Sequence, residues 1–287
     1  MAAAGINPFD WKVADGIFEH SRPHVFPLIL GVDGSGTVES VGPGVVRYRV
    51  GDRVFGQFLH DPVGTGTYAE VAPVPEKIGI TSVPEGMGFE EAAALPTAGM
   101  TALASLDSLA LPPGSSLVVV GASGGVGSFV TELAVAHGLH VTAVARPHSA
   151  PRLQKLGAEE VIDPTDTHAP QAVLGSHPSG VDGLLDVMSD RPGFARWAAV
   201  VRRGGAAATT TFVADPEALG TAGIRAMNIN LQPNAELLSR LAGEITKYRL
   251  TVPIERRVSL SEAPSALAEV RAGRAAGKTV VLTRTSP

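Results

Sequence analysis

The spacing of apolar residues changes twice along the 287-residue chain. Up to about residue 95 they fall in short alternating or valine-rich runs such as "GTVESVG" and "DRVFGQF", broken by glycine and proline. That texture predicts an irregular all-β region. From about residue 90, "FEEAAALPTAGMTALASLDSL" is alanine-rich and helical, with a break at Pro96. A strand–helix alternation then begins. "LVVV" (117–120) reads as a buried strand, and Phe129, Val130, Leu133 and Ala134 recur at helical spacing up to Gly138, a good C-cap. Further strands are predicted at "VTAVA" (141–145), "EVID", "VDGLLDVM" (181–188) and "AAATTTFV". Helices are predicted at "APRLQKLGA" and around Phe194–Val201. Such alternation implies a parallel, doubly wound sheet, hence an α/β chain. A helix near 234–247, an extended piece near 251–260, a helix near 262–272 and a strand "KTVVLT" (278–283) complete the pattern.

Between the first buried strand and its helix lies "VVVGASGGVGS" (118–128). Ala122, Gly124 and Gly127 fit a dinucleotide fingerprint with alanine in the first position. Gly124 would let backbone approach a pyrophosphate, and Gly127 would let the helix pack against the strand. Ser123, Gly125 and Val126 complete a turn whose N–H groups can face phosphate. Glycines this dense also occur in plain tight turns; the strand before and the helix after favour the cofactor reading. The next strand indicates which cofactor. It ends "AVARPHSAPR", with no acid to hold a ribose 2′-OH. Arg146, His148 and Arg152 stand there instead, and arginine suits the 2′-phosphate of NADPH. Pro147 keeps Arg146 out of helical geometry. The alternative is that these are solvated loop charges.

Composition removes several function classes. A formal net charge of −5, a pI near 5.9 and no basic run argue against a nucleic-acid groove binder. Cysteine is absent, which excludes disulfides and thiolate metal sites. The eight histidines show no metal spacing. No apolar segment has the length of a membrane span, and "MAAAGINPFDWK" has neither a basic leader nor a signal-type apolar core. A cytoplasmic location is expected.

Several short segments, in order, carry a resemblance. "GINPFDWKVADG", "GVDGSGTVESVGPGV", "VGDRVFG", "GTYAEV", "LPTAGMTAL", "GASGGVG", "KLGAEEVID" and the closing "GKTVVL" resemble the zinc-independent quinone reductase (zeta-crystallin-like) branch of the medium-chain dehydrogenase/reductase superfamily. The resemblance implies a GroES-like β-rich catalytic domain over 1–95, a Rossmann NADPH-binding domain over 96–250, and a return to the catalytic domain over 251–287. It implies hydride transfer from NADPH to a quinone or an enone. It places Asn7, Asp10 and Trp11 at the nicotinamide site with Thr97. Asn7 and Thr97 would hydrogen-bond the nicotinamide or the acceptor oxygen, and Trp11 would supply a flat apolar wall. The loops "DVMS" (186–189) and "TTTF" (209–212), with Asp186, Val187, Thr210 and Thr211, would line the cofactor's other side. Lys278 matches the branch's "GK", although an exposed strand-end lysine is the simpler reading. A homodimer is expected, paired through "IRAMNINL" (224–231).

Two departures qualify this. Where zinc-dependent relatives carry Cys and His-Glu ligands, this chain has Asn7 and Val32–Asp33, so no zinc is expected. Branch members also carry a few dozen residues before "INPxD", forming the first strands; this chain begins almost at that segment. Isolated, Asn7–Pro8 is a turn pair, Asp10 a local cap, Trp11 a core residue and Thr97 a helix cap. Two other functions share the fold: an enoyl-thioester reductase working with a biosynthetic carrier, and a truncated, non-catalytic NADPH-binding protein.

Overall fold

The structure, a computed structural model, describes residues 1–284. The last three positions of the expected 251–287 segment lie outside the described residues.

The chain opens with β1 (Ala3–Gly5) and α1 (Pro8–Ala14), followed by β2 (His24–Ile29), β3 (Asp33–Thr37), β4 (Arg53–Gln57), β5 (Val63–Thr65) and β6 (Ile80–Ser82). Next come α2 (Phe89–Ala94) and α3 (Pro96–Leu109), separated at the expected proline. The all-β expectation for this region misses α1. Its start is nonetheless chemical: Asn7 is the N-cap, Pro8 stands at N1, and the Asp10 carboxylate reaches back to the Asn7 N–H at 2.8 Å. Seven residues are too few to display a helical period.

From Ser116 the alternation is as expected. It runs β7 (Ser116–Val120), α4 (Gly125–Ala136), β8 (His140–Val144), α5 (Ala150–Lys155), β9 (Glu160–Ile162), α6 (Ala169–Ser176), β10 (Val181–Asp186), α7 (Arg191–Ala198), β11 (Val201–Thr209), α8 (Pro216–Thr221) and β12 (Arg225–Asn228). The six strands pair in the order β12-β11-β10-β7-β8-β9, all parallel. That is the doubly wound Rossmann order, with its switch point between β7 and β10. Leu117 to Val120 are almost wholly buried, which explains the unbroken apolar run of β7. The short helices α6 and α8 were not legible as periodic segments; a proline opens each, and Asp215 caps α8.

The remaining elements are α9 (Ala235–Tyr248), β13 (Ile254–Ser259), α10 (Ala263–Arg271) and β14 (Lys278–Leu282). The β13 and β14 strands join the N-terminal sheet, ordered β13-β14-β1-β3-β4-β6; β2 and β5 form a separate parallel pair. The chain divides into two compact units, Met1–Met100 with the chain from Gln232 onward, and Thr101–Leu231. The return to the first unit therefore comes at 232, one helix earlier than the expected 251. The apolar face of α9, with Leu238, Leu241, Ala242 and Ile245 buried, accounts for this. Leu241 packs against Gly99, and the Thr81 and Ser239 hydroxyls lie 3.0 Å apart.

Candidate active site

In the second unit, the carboxyl ends of the parallel strands carry the glycine turn. Gly121 leaves β7 with φ +82°, a left-handed conformation that favours glycine. Gly124 is the N-cap of α4, and a Cβ added there would meet only the Gly121 carbonyl oxygen, at 3.5 Å. The face beside Gly124 is thus open to a phosphate, at the N-terminus of a twelve-residue helix. At Gly127 a Cβ would lie 2.3 Å from the Gly121 oxygen and 2.6 Å from the Ala122 Cα. Helix and strand touch there, which is the packing the fingerprint expects at Gly127, while Gly124 has the open face expected of it.

Arg146 follows β8 in extended geometry (φ −60°, ψ 147°), as the proline after it demands, and its side chain is exposed, as is that of His148. Arg152 is different. From α5 its guanidinium donates to the Ser123 carbonyl at 2.6 Å and to the Ser128 Oγ at 2.9 Å. It is a clamp on the glycine turn, not a free cation for a 2′-phosphate.

Asp186 is fully buried at the end of β10. Its Oδ1 accepts from the Met188 and Ser189 N–H groups at 3.0 and 2.9 Å, and Oδ2 has no partner. Its side chain therefore shapes the loop that presents Val187. The Thr211 Oγ1 donates to the Ser189 carbonyl at 2.9 Å, and the Thr210 N–H to the Asp186 carbonyl, which ties the two expected loops together. Within the same two expected loops, Met188 and Phe212 are more than half exposed.

The first unit gathers a buried polar cluster. Asn7 is 2 % exposed and Asp33 fully buried. The Asn7 Nδ2 donates to Asp33 at 2.8 Å. Asp33 also accepts from Thr97, from its N–H at 3.0 Å and its hydroxyl at 2.7 Å, and the Thr97 oxygen accepts from the Gln57 Nε2 at 2.8 Å. Lys278 is neither exposed nor placed to hold a cofactor. It is 3 % exposed, and its ammonium donates to the Asn7 Oδ1 at 2.5 Å and the Ile6 carbonyl at 2.9 Å, 4.0 Å from Asp33. Burial pushes the Asp33 carboxyl up and the Lys278 ammonium down; each one's charge opposes the other's shift.

Asp10 lies beside this cluster. It accepts from the Asn7 and Val32 N–H groups and, at 2.7 Å, from the Tyr68 hydroxyl. Burial outweighs those three donors and raises its carboxyl to about 7. Trp11 is half-buried beneath α10, with the Arg271 guanidinium 5.2 Å from its ring centroid and its Nε1 buried without a partner. One ring face is therefore covered, and no open flat wall is presented there. Of the expected acceptor contacts, Asn7 has both amide ends committed inside the protein. Thr97 and Gln57, both half-buried, are the accessible end of the cluster. Gln57 was missed because a strand-end glutamine is ordinary surface chemistry.

Residues 1–98 match the alcohol dehydrogenase GroES-like domain, and residues 156–281 match the zinc-binding dehydrogenase family. The chain is 31 % identical to the chloroplast envelope quinone oxidoreductase homolog of Arabidopsis thaliana, over 98 % of this chain and 88 % of that protein. The chain belongs to the medium-chain dehydrogenase/reductase superfamily. It is also 31 % identical to the 2-methylene-furan-3-one reductase of Solanum lycopersicum, over 98 % of this chain and 70 % of that one. A mycobacterial protein solved in complex with NADPH superposes with a TM-score of 0.83 at 27 % identity, covering 98 % of this chain and 89 % of its own.

For all the second family's name, the zinc-ligand positions do not fit a zinc ion here. The positions the resemblance assigns hold Asn7, Val32 and Asp33; the Asn7 amide is bound to the Lys278 ammonium and to Asp33, the chain has no cysteine, and among the described residues no three His, Asp or Glu side chains cluster for a metal.

Proposed function

We propose that this protein is a zinc-independent, NADPH-dependent oxidoreductase that reduces quinones or enones. The observation that carries the reading is the pairing of an open glycine turn at the sheet's switch point with Arg146, and no acid, at the end of β8. The relatives named as quinone oxidoreductase and furanone reductase supply the substrate class.

When bound, NADPH would supply the hydride. The chain's own residues then have distinct tasks. The N–H groups of the α4 N-terminus take the pyrophosphate beside Gly124, and Arg152 fixes the shape of that turn. Arg146 takes the 2′-phosphate, with His148 beside it. The loops held by Asp186 and Thr211 present Val187 and Thr210. At the acceptor we assign Thr97 together with Gln57: the single O–H proton of Thr97 goes to Asp33, so donation to an oxygen that gains charge falls to the second Nε2 N–H of Gln57, which Thr97 orients. Asn7 acts through Asp33.

Two finer assignments belong to the same reading. β12 is the terminal strand of its sheet, and an isologous dimer would cover its open edge. A cytoplasmic location accords with the lack, among the described residues, of any helix long and apolar enough to cross a membrane; cell fractionation tests it. The decisive assay follows NADPH consumption with a panel of quinones, enones and enoyl thioesters. Turnover of the first two classes is expected. Turnover of thioesters alone, or NADPH binding with no turnover, would overturn the reading.

A further inference from the structure

The cluster of the first unit contains a lysine with no exposed surface to serve. Lysine is almost never fully buried unless paired, because moving an ammonium out of water is costly. Strand register places it. Ala3, Ala4 and Gly5 of β1 pair with Leu282, Val281 and Val280 of β14, and the Ile6 N–H continues the ladder to the Thr279 carbonyl. The next step along both strands brings Lys278 beside Asn7.

We propose that Lys278 is a positioning residue: its ammonium, 2.5 Å from the Asn7 Oδ1 and 4.0 Å from Asp33, fixes the orientation of Asn7 and, through Asp33, of Thr97. The proposal rests on the oxidoreductase reading for its consequence in turnover, and on geometry alone for its effect on Asn7.

The argument is one of alternating polarity. A carboxamide has an accepting end and a donating end, and its orientation is set by its partners. Here the accepting end faces an ammonium and the donating end a carboxylate. A flipped amide would set NH₂ against NH₃⁺ and C=O against COO⁻, so only one orientation survives. Asp33, held from that side, presents its oxygens to the N–H and hydroxyl of Thr97, and Gln57 completes the chain. Fixed charge at the buried end thus determines the hydrogen-bond directions at the half-buried end. Replacing Lys278 with an apolar residue of similar length would leave Asn7 without its ammonium and Asp33 without a counter-charge.

Stability and turnover separate this role from simple charge compensation. Asp33→Asn takes away the larger counter-charge of the buried Lys278, leaving only Asp10 nearby; adding Lys278→Met removes the ammonium itself. In the Asp33→Asn background, Lys278→Met is therefore expected to raise the melting temperature. In the parent, where Asp33 still links Asn7 to Thr97, Lys278→Met should lower kcat by about 10- to 100-fold, the range a displaced reacting group costs, with KM for NADPH within about twofold. If kcat rises or stays unchanged there, Lys278 is only a counter-charge and the proposal fails. The Asn7 side-chain amide resonances give a readout that needs no turnover; Asn7→Asp assigns them by their loss. They are expected to shift in Lys278→Met alone; unchanged resonances would overturn the proposal. Should the parent protein reduce no acceptor, the oxidoreductase reading falls, while the Asn7 resonances still decide the role of Lys278.

Discussion

Replacing Gly127 with alanine separates the packing duty of the glycine turn from its binding duty. An added Cβ would sit 2.3 Å from the Gly121 carbonyl oxygen and 2.6 Å from the Ala122 Cα. Both neighbours are backbone, so no side chain can swing aside. Relief requires about 1 Å of movement of α4 away from the end of β7, where a heavy-atom contact needs roughly 3.5 Å. Overpacking costs about 1–3 kcal/mol, and two backbone contacts this short put this site in the upper part of that range, about 2–3 kcal/mol. Alanine's better helix propensity returns about 1 kcal/mol. The net expectation is a loss of about 1–2 kcal/mol, or roughly 2–8 °C in melting temperature. Gly124→Ala is the control. Its Cβ meets only one atom, at 3.5 Å, and its φ of −76° suits alanine. That variant should melt within about 1 °C of the parent yet bind NADPH at least tenfold more weakly, because the methyl stands where the pyrophosphate approaches. Thermal melts and NADPH titration by calorimetry measure both. If Gly127→Ala melts with the parent, or Gly124→Ala loses as much stability as Gly127→Ala, the division of labour between the two glycines is wrong.

Arg146→Asp should erase or reverse cofactor preference; an arginine–phosphate contact of about 1.5–3 kcal/mol makes NADPH about 10- to 100-fold tighter than NADH in the parent. Equal affinities of the parent for the two cofactors would refute the assignment. Thr97→Val should lower kcat by about 10²-fold while NADPH affinity is kept, and Thr97→Ser should restore most of it; a Val variant as fast as the parent would return Thr97 to a helix-start role. Asp10, raised in the folded state to about 7 from the usual 3.8, binds more protons folded than unfolded between those values. Its contribution to stability is therefore present at low pH and declines as pH rises toward about 7. The melting temperature of the parent minus that of Asp10→Asn should fall from pH 5 to about pH 7 and level off above it; a constant difference over about pH 5–7 would show an ordinary Asp10. A sedimentation measurement that finds only monomer at high micromolar concentration would rule out pairing through β12.

What the sequence determined by itself was everything carried by local period and local chemistry. β7 is buried on both faces, so its apolar run is continuous, and the glycine cluster between it and α4 fits a dinucleotide fingerprint. The absence of an acid after β8, the geometry forced on Arg146 by Pro147, and the break at Pro96 are equally local. Elements too short to show a period, such as α1 and α8, were not legible, because their ends are set by caps and not by an apolar stripe. Tertiary structure alone decided the partners. Arg152 and Arg146 stand six positions apart in similar basic surroundings, yet the first is tied to Ser123 and Ser128 and the second faces solvent. Lys278 reads as a surface lysine until β14 pairs with β1 and carries it beside Asn7, 271 residues away along the chain. A hydrogen bond or ion pair between distant segments leaves no periodic trace in either one, since each needs only one residue of the right type. Packing then removes water from Lys278, Asp33 and Asp10, which turns ordinary side chains into a buried charge cluster.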